Sequence, residues 1–197
     1  MSDKTNKQII KRKSFKPLEW VCKSTFLNLK IYDDYTIVES KIFFDKSKIF
    51  KKGNVLLNGN NLNTLKFKVI YVFKNKINKV KKLNPDSDYL VVKVPTDCVK
   101  LIIKSTVKLN PKINTSLEGF YESNNMFCTQ CEPEGFRKIT WFIDRPDNLS
   151  IFTVRIEAKN SYNNLLSNGN LLRSGNIKNC NRKYVIWNDP FPKPSYL

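Results

Sequence analysis

Apolar and polar residues alternate with a period of two along most of the chain from Leu18 onward. Because successive side chains of a strand point to opposite faces, such a run predicts a strand with one buried and one wet face. The clearest early run has apolar residues that alternate with lysines: Leu65, Phe67, Val69, Tyr71 and Phe73. The clearest late run has four residues predicted to face inward: Phe152, Val154, Ile156 and Ala158.

Shorter runs predict the remaining elements. Alternating residues on both sides of Asp33 and Asp34 predict a hairpin, and further strands are expected over residues 89–94, 99–107 and 184–187. Residues 56–63 and 75–88 carry turn signals and are expected to be connections. A single helical turn is expected over residues 134–140. The pattern predicts an antiparallel all-β domain of the sandwich type.

Length and composition support one folded domain. A chain of 197 residues, 41% of them hydrophobic, can bury a core without disulfides or metals. Residues 1–16 are basic with little to bury, so we expect a flexible tail before a domain over residues 17–197. The chain has no histidine. This removes the usual general base and the usual ligands of a catalytic zinc ion, which excludes most hydrolase mechanisms for the chain alone.

The formal net charge of +18 would ordinarily suggest a polyanionic partner. The bias is compositional, however, because lysine is abundant while arginine occurs at only six positions and alanine only at Ala158. A+T-rich codons would supply such a composition. A phosphate-reading surface would favour arginine forks and clustered glycines, so nucleic acid is not the expected partner.

The sequence indicates no membrane contact and a cytoplasmic location. No window approaches the roughly 20 apolar residues of a membrane-spanning helix, and the start has no apolar signal region. The cysteines, at positions 22, 98, 128, 131 and 180, do not form an even framework. We therefore expect free thiols in a reducing compartment.

Residues 114–147 concentrate acids, aromatics and arginines in a loop-rich stretch. Cys128 and Cys131 have the spacing of half a zinc knuckle or of a redox pair. A knuckle lacks its other two ligands here, and the all-β pattern lacks the context of a thioredoxin-like motif, so structural thiols are favoured.

The acids in this stretch allow two interpretations. Glu132 and Glu134 can form an acidic first turn with Arg137 as ion-pair partner, or one carboxylate on a loop can anchor a cation. Spacing alone favours the first. Residues 144–147 are predicted to form a turn with an internal ion pair.

Several ungapped motifs nevertheless resemble the N-terminal domain of the bacterial aminopeptidase N family, the alanyl aminopeptidases among the gluzincin zinc metallopeptidases. They are NTSLEGFY (114–121), CTQCEPEGFRKIT (128–140), IDRPD (143–147), LSNGN (166–170) and DPFPKPSYL (189–197). The resemblance implies a saddle-shaped β domain of a zinc exopeptidase that removes N-terminal residues from peptides. It also implies that Gln130 and Glu132 bind the free α-amino group of the substrate.

The family's zinc motif, H-E-x-x-H, and its G-A-M-E-N segment do not occur in this sequence. The resemblance therefore leads us to expect one domain without its catalytic domain, either a fragment or a truncated form. Zinc would belong to the full-length parent enzyme, and this chain alone is expected to have no catalytic residues, to bind no metal and to be inactive. Two alternatives stay open: a free-standing basic β-module that binds nucleic acid, and a remnant without function.

Overall fold

The computed structural model describes residues 11–47, 53–74 and 78–197. Strands dominate these ranges, and short 3-10 helices lie at Arg12–Ser14, Pro111–Ile113 and Phe136–Lys138. The strands are β1 (Trp20–Ile31), β2 (Thr36–Lys46), β3 (Val55–Asn58), β4 (Asn63–Phe73), β5 (Asn78–Lys82), β6 (Tyr89–Val92), β7 (Cys98–Leu109), β8 (Gly119–Ser123), β9 (Met126–Gln130), β10 (Ser150–Lys159), β11 (Asn170–Ile177) and β12 (Arg182–Lys193). The all-β class is confirmed, and the last 3-10 helix lies within the predicted helical turn.

Eight strands form one large sheet in the order β11-β12-β10-β1-β2-β7-β4-β5. The predicted hairpin is present, since β1 and β2 pair antiparallel up to Ile31 opposite Thr36. One pair departs from the antiparallel expectation, because β10 runs parallel to β1 from Ser24 opposite Ile151. The sheet is therefore mixed. The long stretch of chain between β1 and β10 allows this direction, which a short hairpin connection would not.

The predicted connections contain further strands. Residues 56–63 include most of β3, which pairs with β6 in a separate two-stranded sheet. Residues 75–88 include β5, which pairs with β4 at the sheet edge; residues 75–77 lie outside the described residues. Every residue of β5 is exposed, so neither face could give an alternating signal.

Two strands of the stretch expected to be loop-rich, β8 and β9, form a hairpin of their own. The edge strand β11 was also not predicted, and it too is mostly exposed. At Leu65 the inward prediction is wrong, because the β4–β7 register shifts between Thr64 and Lys66 and leaves this side chain half exposed.

The core lies on one face of the large sheet. Its inward residues include Val38, Ile103 and Val69 on three neighbouring strands. The segment after the last 3-10 helix packs against them, with the Phe67 and Trp141 rings edge to face at 6.1 Å between centroids. The β3–β6 and β8–β9 pairs complete this second layer, which gives the sandwich-like arrangement.

Two further expectations concern the start of the chain and membrane-spanning helices. The tail expected over residues 1–16 lies outside the described residues up to residue 10. Among the residues that the structure describes, no helix is long and apolar enough to cross a membrane.

Candidate functional site

The β8–β9 hairpin places the two candidate residues at its open end. Its tip is formed by Asn124 and Asn125, whose φ angles of 49° and 60° suit the tight turn that joins two strands. At the other end Gln130, the last residue of β9, lies opposite Gly119. Glu132 follows in the loop that leaves the hairpin.

This loop is held tightly by main-chain contacts. The Gly135 amide donates to the Cys131 carbonyl at 2.9 Å, and the Glu132–Pro133 peptide bond is cis. A Cβ on Gly135 would lie 2.3 Å from the Gln130 carbonyl oxygen and 2.9 Å from the Cys131 Cα. Only glycine permits this approach, so Gly135 sets how closely the loop after Glu132 returns to the end of β9.

The two neighbouring glutamates differ in their contacts. Glu134 Oε2 lies 3.2 Å from Arg137 Nη1, which confirms the predicted ion pair, although no side chain caps the 3-10 helix that follows. Glu132 is exposed and has neither a hydrogen bond nor an ion pair with any of the residues that the structure describes. Gln130 is exposed as well. The carboxylate that the family resemblance selects is therefore the one without an internal partner.

A buried ion pair supports the loop from behind. Asp144 Oδ2 accepts from both Nε and the backbone amide of Arg137, at 3.0 and 3.1 Å, and its Oδ1 accepts from Ser195 Oγ at 2.5 Å. The Asp144 amide donates to Asn58 Oδ1 at 3.2 Å. These bonds connect the Glu132 loop to β3 and to the end of the described chain.

The predicted turn over residues 144–147 is only partly as expected. Arg145 and Asp147 form the internal ion pair at 2.7 Å. Asp144 turns away from it and pairs with Arg137 instead. Spacing could not show this, because the side chain of Asp144 is directed inward.

Gln130 and Glu132 line the rim of a cavity of about 610 Å³. Its inner wall is apolar and comes mainly from the buried face of β1 and from β10, with Leu29 and Ile156 as examples. Its outer wall comes from residues 162–168 and from the end of the chain, where Asp189 and Lys193 form an ion pair. Most of this wall comes from two motifs that carry the family resemblance, LSNGN (166–170) and DPFPKPSYL (189–197), but the sequence alone gave neither of them a place at the site.

Cys128 and Cys131 are free thiols, as are the other three cysteines. Burial raises the pKa of the Cys131 thiol to about 12, and the nearby Asp144 carboxylate adds to the rise. A thiol in this state is a poor nucleophile and a poor metal ligand at neutral pH, which supports a structural role. Among the described residues there is no group of three or more cysteine, aspartate or glutamate side chains placed to hold a metal ion.

Comparison with known proteins gives consistent results. The family model described as the peptidase M1 N-terminal domain matches residues 16–197. Aminopeptidase N of Caulobacter vibrioides is 47% identical over 112 residues, which are 57% of this chain and 13% of the relative. Aminopeptidase N of Escherichia coli is 50% identical over 99 residues, or 50% of this chain and 11% of the relative.

The aminopeptidase N of Haemophilus influenzae is 56% identical over 90 residues, which are 45% of this chain and 10% of that protein. The chain thus aligns with only about a tenth of the length of these curated relatives. Among solved structures, Legionella pneumophila aminopeptidase A in complex with aspartic acid matches with a TM-score of 0.80 at 24% identity, over 93% of this chain and 21% of that one. At that identity the match shows the fold.

Proposed function

We propose, from the premise that the chain belongs to the peptidase M1 N-terminal domain family, that it is the substrate-anchoring domain of a zinc aminopeptidase. In this proposal Gln130 and Glu132 bind the free α-amino group of a peptide. The peptide bond would be cleaved by a separate catalytic domain. The chain alone would be inactive.

The observation that carries the proposal is the state of Glu132. Its carboxylate is exposed at the cavity rim and unpaired among the described residues, while Glu134, two positions later, is paired with Arg137. A loop held by Gly135 and by the buried Asp144 fixes the backbone position of Glu132 before a ligand arrives. Such preorganisation lowers the entropic cost of binding.

The chemistry suits an exopeptidase. At about 4 Å and an effective dielectric constant near 20, a carboxylate and an ammonium group attract by roughly 4 kcal/mol before desolvation. An internal peptide segment offers no ammonium group, so on binding it would cover the Glu132 carboxylate without giving it a partner. Gln130 would add a hydrogen bond to the same amine.

Zinc has no fitting site among the residues described here. The sequence has no histidine, and the described ranges hold no group of three or more cysteine, aspartate or glutamate side chains placed for a metal ion. In this proposal zinc therefore belongs to the catalytic domain. Exposed apolar side chains on β11 and β12, namely Leu171, Leu172 and Phe191, offer a surface against which such a domain could pack.

The experiment joins this chain to the catalytic domain of the Escherichia coli relative in place of the matching domain. Glu132→Gln should lower kcat/KM for an aminoacyl reporter by one to three orders of magnitude, since about 1.4 kcal/mol is lost per tenfold and the amide keeps part of the contact. The matched control, Glu134→Gln, removes the same charge two residues away and should leave kcat/KM nearly unchanged. Equal losses in the two variants would remove Glu132 from the site.

We further infer a cytoplasmic location for this protein. All five cysteines are free thiols, and Cys22 and Cys98 are buried in the core. A protein that folds in an oxidising compartment would more commonly pair its cysteines.

A further inference from the structure

Lysines line up in one row across the face of the large sheet that points away from the core. Lys82 of β5 lies opposite Lys68 of β4, Lys68 opposite Lys104 of β7, and Lys104 opposite Lys41 of β2. We call these four residues the lysine row. Because neighbouring strands lie about 4.8 Å apart, the row spans about 14 Å. Chain neighbours of three of them are fully buried on the other face: Val69, Ile103 and Ile42.

The lysine row costs stability, and no carboxylate of the described residues pairs with it. Like charges directly opposite each other on a sheet destabilise it. None of the four forms an ion pair with the residues that the structure describes. Of the carboxylates on this face, Glu39 is held by Lys30 and Asn28 at 2.9 Å, and Asp45 lies opposite Lys100. A lysine-rich composition supplies such residues, but it does not favour placing them opposite one another.

Aromatic and aliphatic side chains continue and flank the row. Phe26 of β1 lies opposite Lys41 and extends the row by one strand. Phe43 belongs to the adjacent row, and Lys41 Nζ lies 4.7 Å from its ring centroid. The same adjacent row contains Val80, Ile70 and Ile102 on the other strands. Charge and apolar surface therefore run side by side over four strands.

We propose that this face binds single-stranded nucleic acid, with the lysine row contacting successive phosphates and with Phe26 and Phe43 stacking on bases. A positively charged track beside aromatic rings is the arrangement that binds single strands without sequence preference. Unpaired bases are needed for stacking, so a duplex fits less well. The apolar row lies flat within the sheet, which suits base stacking better than insertion into a lipid surface. This proposal does not depend on the aminopeptidase assignment.

The first test is a titration of the purified chain with fluorescein-labelled 15-nucleotide oligothymidine and oligouridine, followed by anisotropy. Four phosphate contacts to a single strand predict a slope near −3 for the logarithm of affinity against the logarithm of salt concentration. The affinity should therefore fall about 50-fold between 50 and 200 mM salt. A duplex of the same length and phosphatidylserine vesicles serve as competing ligands and should bind more weakly.

The second test distinguishes binding through the lysine row from binding through the overall positive charge. One variant changes Lys41, Lys68, Lys82 and Lys104 to glutamine. The matched control changes four exposed lysines elsewhere: Lys16, Lys93, Lys112 and Lys178. Both lower the net charge equally. The row variant should bind oligonucleotide at least tenfold more weakly and with a flatter salt slope, while the control should lose less than about threefold.

Circular dichroism and thermal unfolding should show both variants folded, because the substitutions are on the surface and the row variant relieves repulsion. Equal weakening in the two variants would overturn the proposal, since diffuse charge would then explain binding. Absence of oligonucleotide binding at 50 mM salt would overturn it as well. So would tighter binding to the vesicles than to the oligonucleotides.

Discussion

Replacing Asp144 with asparagine keeps the shape of the side chain and removes the negative charge at the centre of the network behind the Glu132 loop. The Asp144 side chain is 1% exposed and that of Arg137 14%, so this is a buried ion pair. Removing one member of such a pair typically costs 3–5 kcal/mol, because the other charge stays buried without compensation.

The expected loss lies at the low end of that range. Arg137 keeps the Glu134 carboxylate at 3.2 Å and the main-chain carbonyl of residue 144 at 2.9 Å, and an amide oxygen at the Oδ2 position can still accept both Arg137 bonds, although without a charge. We therefore expect the free energy of unfolding to fall by about 3 kcal/mol. For a domain of this size that corresponds to a drop in Tm of roughly 6–12 °C.

Urea unfolding followed by tryptophan fluorescence measures this change, with an unchanged m-value showing that the unfolded state is unaffected. Glu134→Gln is the matched control, since it removes an equal charge from the same arginine. Its carboxylate is 66% exposed, so its loss should cost no more than about 1 kcal/mol. If Asp144→Asn is as mild as Glu134→Gln, the buried charge does not hold the loop and the reasoning fails.

Two further predictions concern the same region. Gly135→Ala should lower the free energy of unfolding, measured in urea, by about 1–3 kcal/mol, because the added Cβ would lie 2.3 Å from a main-chain oxygen. The control Gly175→Ala should be nearly neutral, because the nearest atom to its Cβ is a side-chain carbon at 3.3 Å. Similar losses in the two variants would contradict the close approach at Gly135. Burial raises the pKa of Cys22 from 9.0 to about 11 and that of Cys131 to about 12. Thiols of the unfolded chain therefore ionise first, so stability is fully present below pH 9 and is lost as pH rises towards 11–12. Urea unfolding at pH 8 and 10.5 should show this fall, smaller in the Cys22→Ser, Cys131→Ser variant, and equal falls in the two proteins would contradict it.

Strong alternation determined the central strands in advance. The runs that became β2, β4, β7 and β10 bury one face in the core, and a half-buried strand must alternate with period two. Strands that bury neither face left no such signal, which is why β5 and β11 were missed at the two sheet edges. The strands β8 and β9 are only five residues long and lie in a stretch rich in turn-forming residues, so alternation did not predict them.

Pairing was decided only by the tertiary structure. Nothing in the local sequence of β1 or β10 shows that they lie side by side in parallel, because strand partners distant in the chain are selected by how the whole sheet packs. The same holds for the lysine row, whose members lie on strands far apart in sequence. Composition predicted many lysines, and only the register showed four of them opposite one another.

For the candidate site, the motif around Gln130 and Glu132 pointed to the residues by resemblance, and spacing could not tell Glu132 from Glu134. The folded chain separates them, because Arg137 reaches Glu134 and the buried Asp144 but leaves Glu132 at the cavity rim. The sequence around a glutamate shows only which charged residues are near it in the chain. Which of those partners a side chain meets depends on the path of the backbone, here set by Gly135 and by an aspartate nine residues further on that turns into the core.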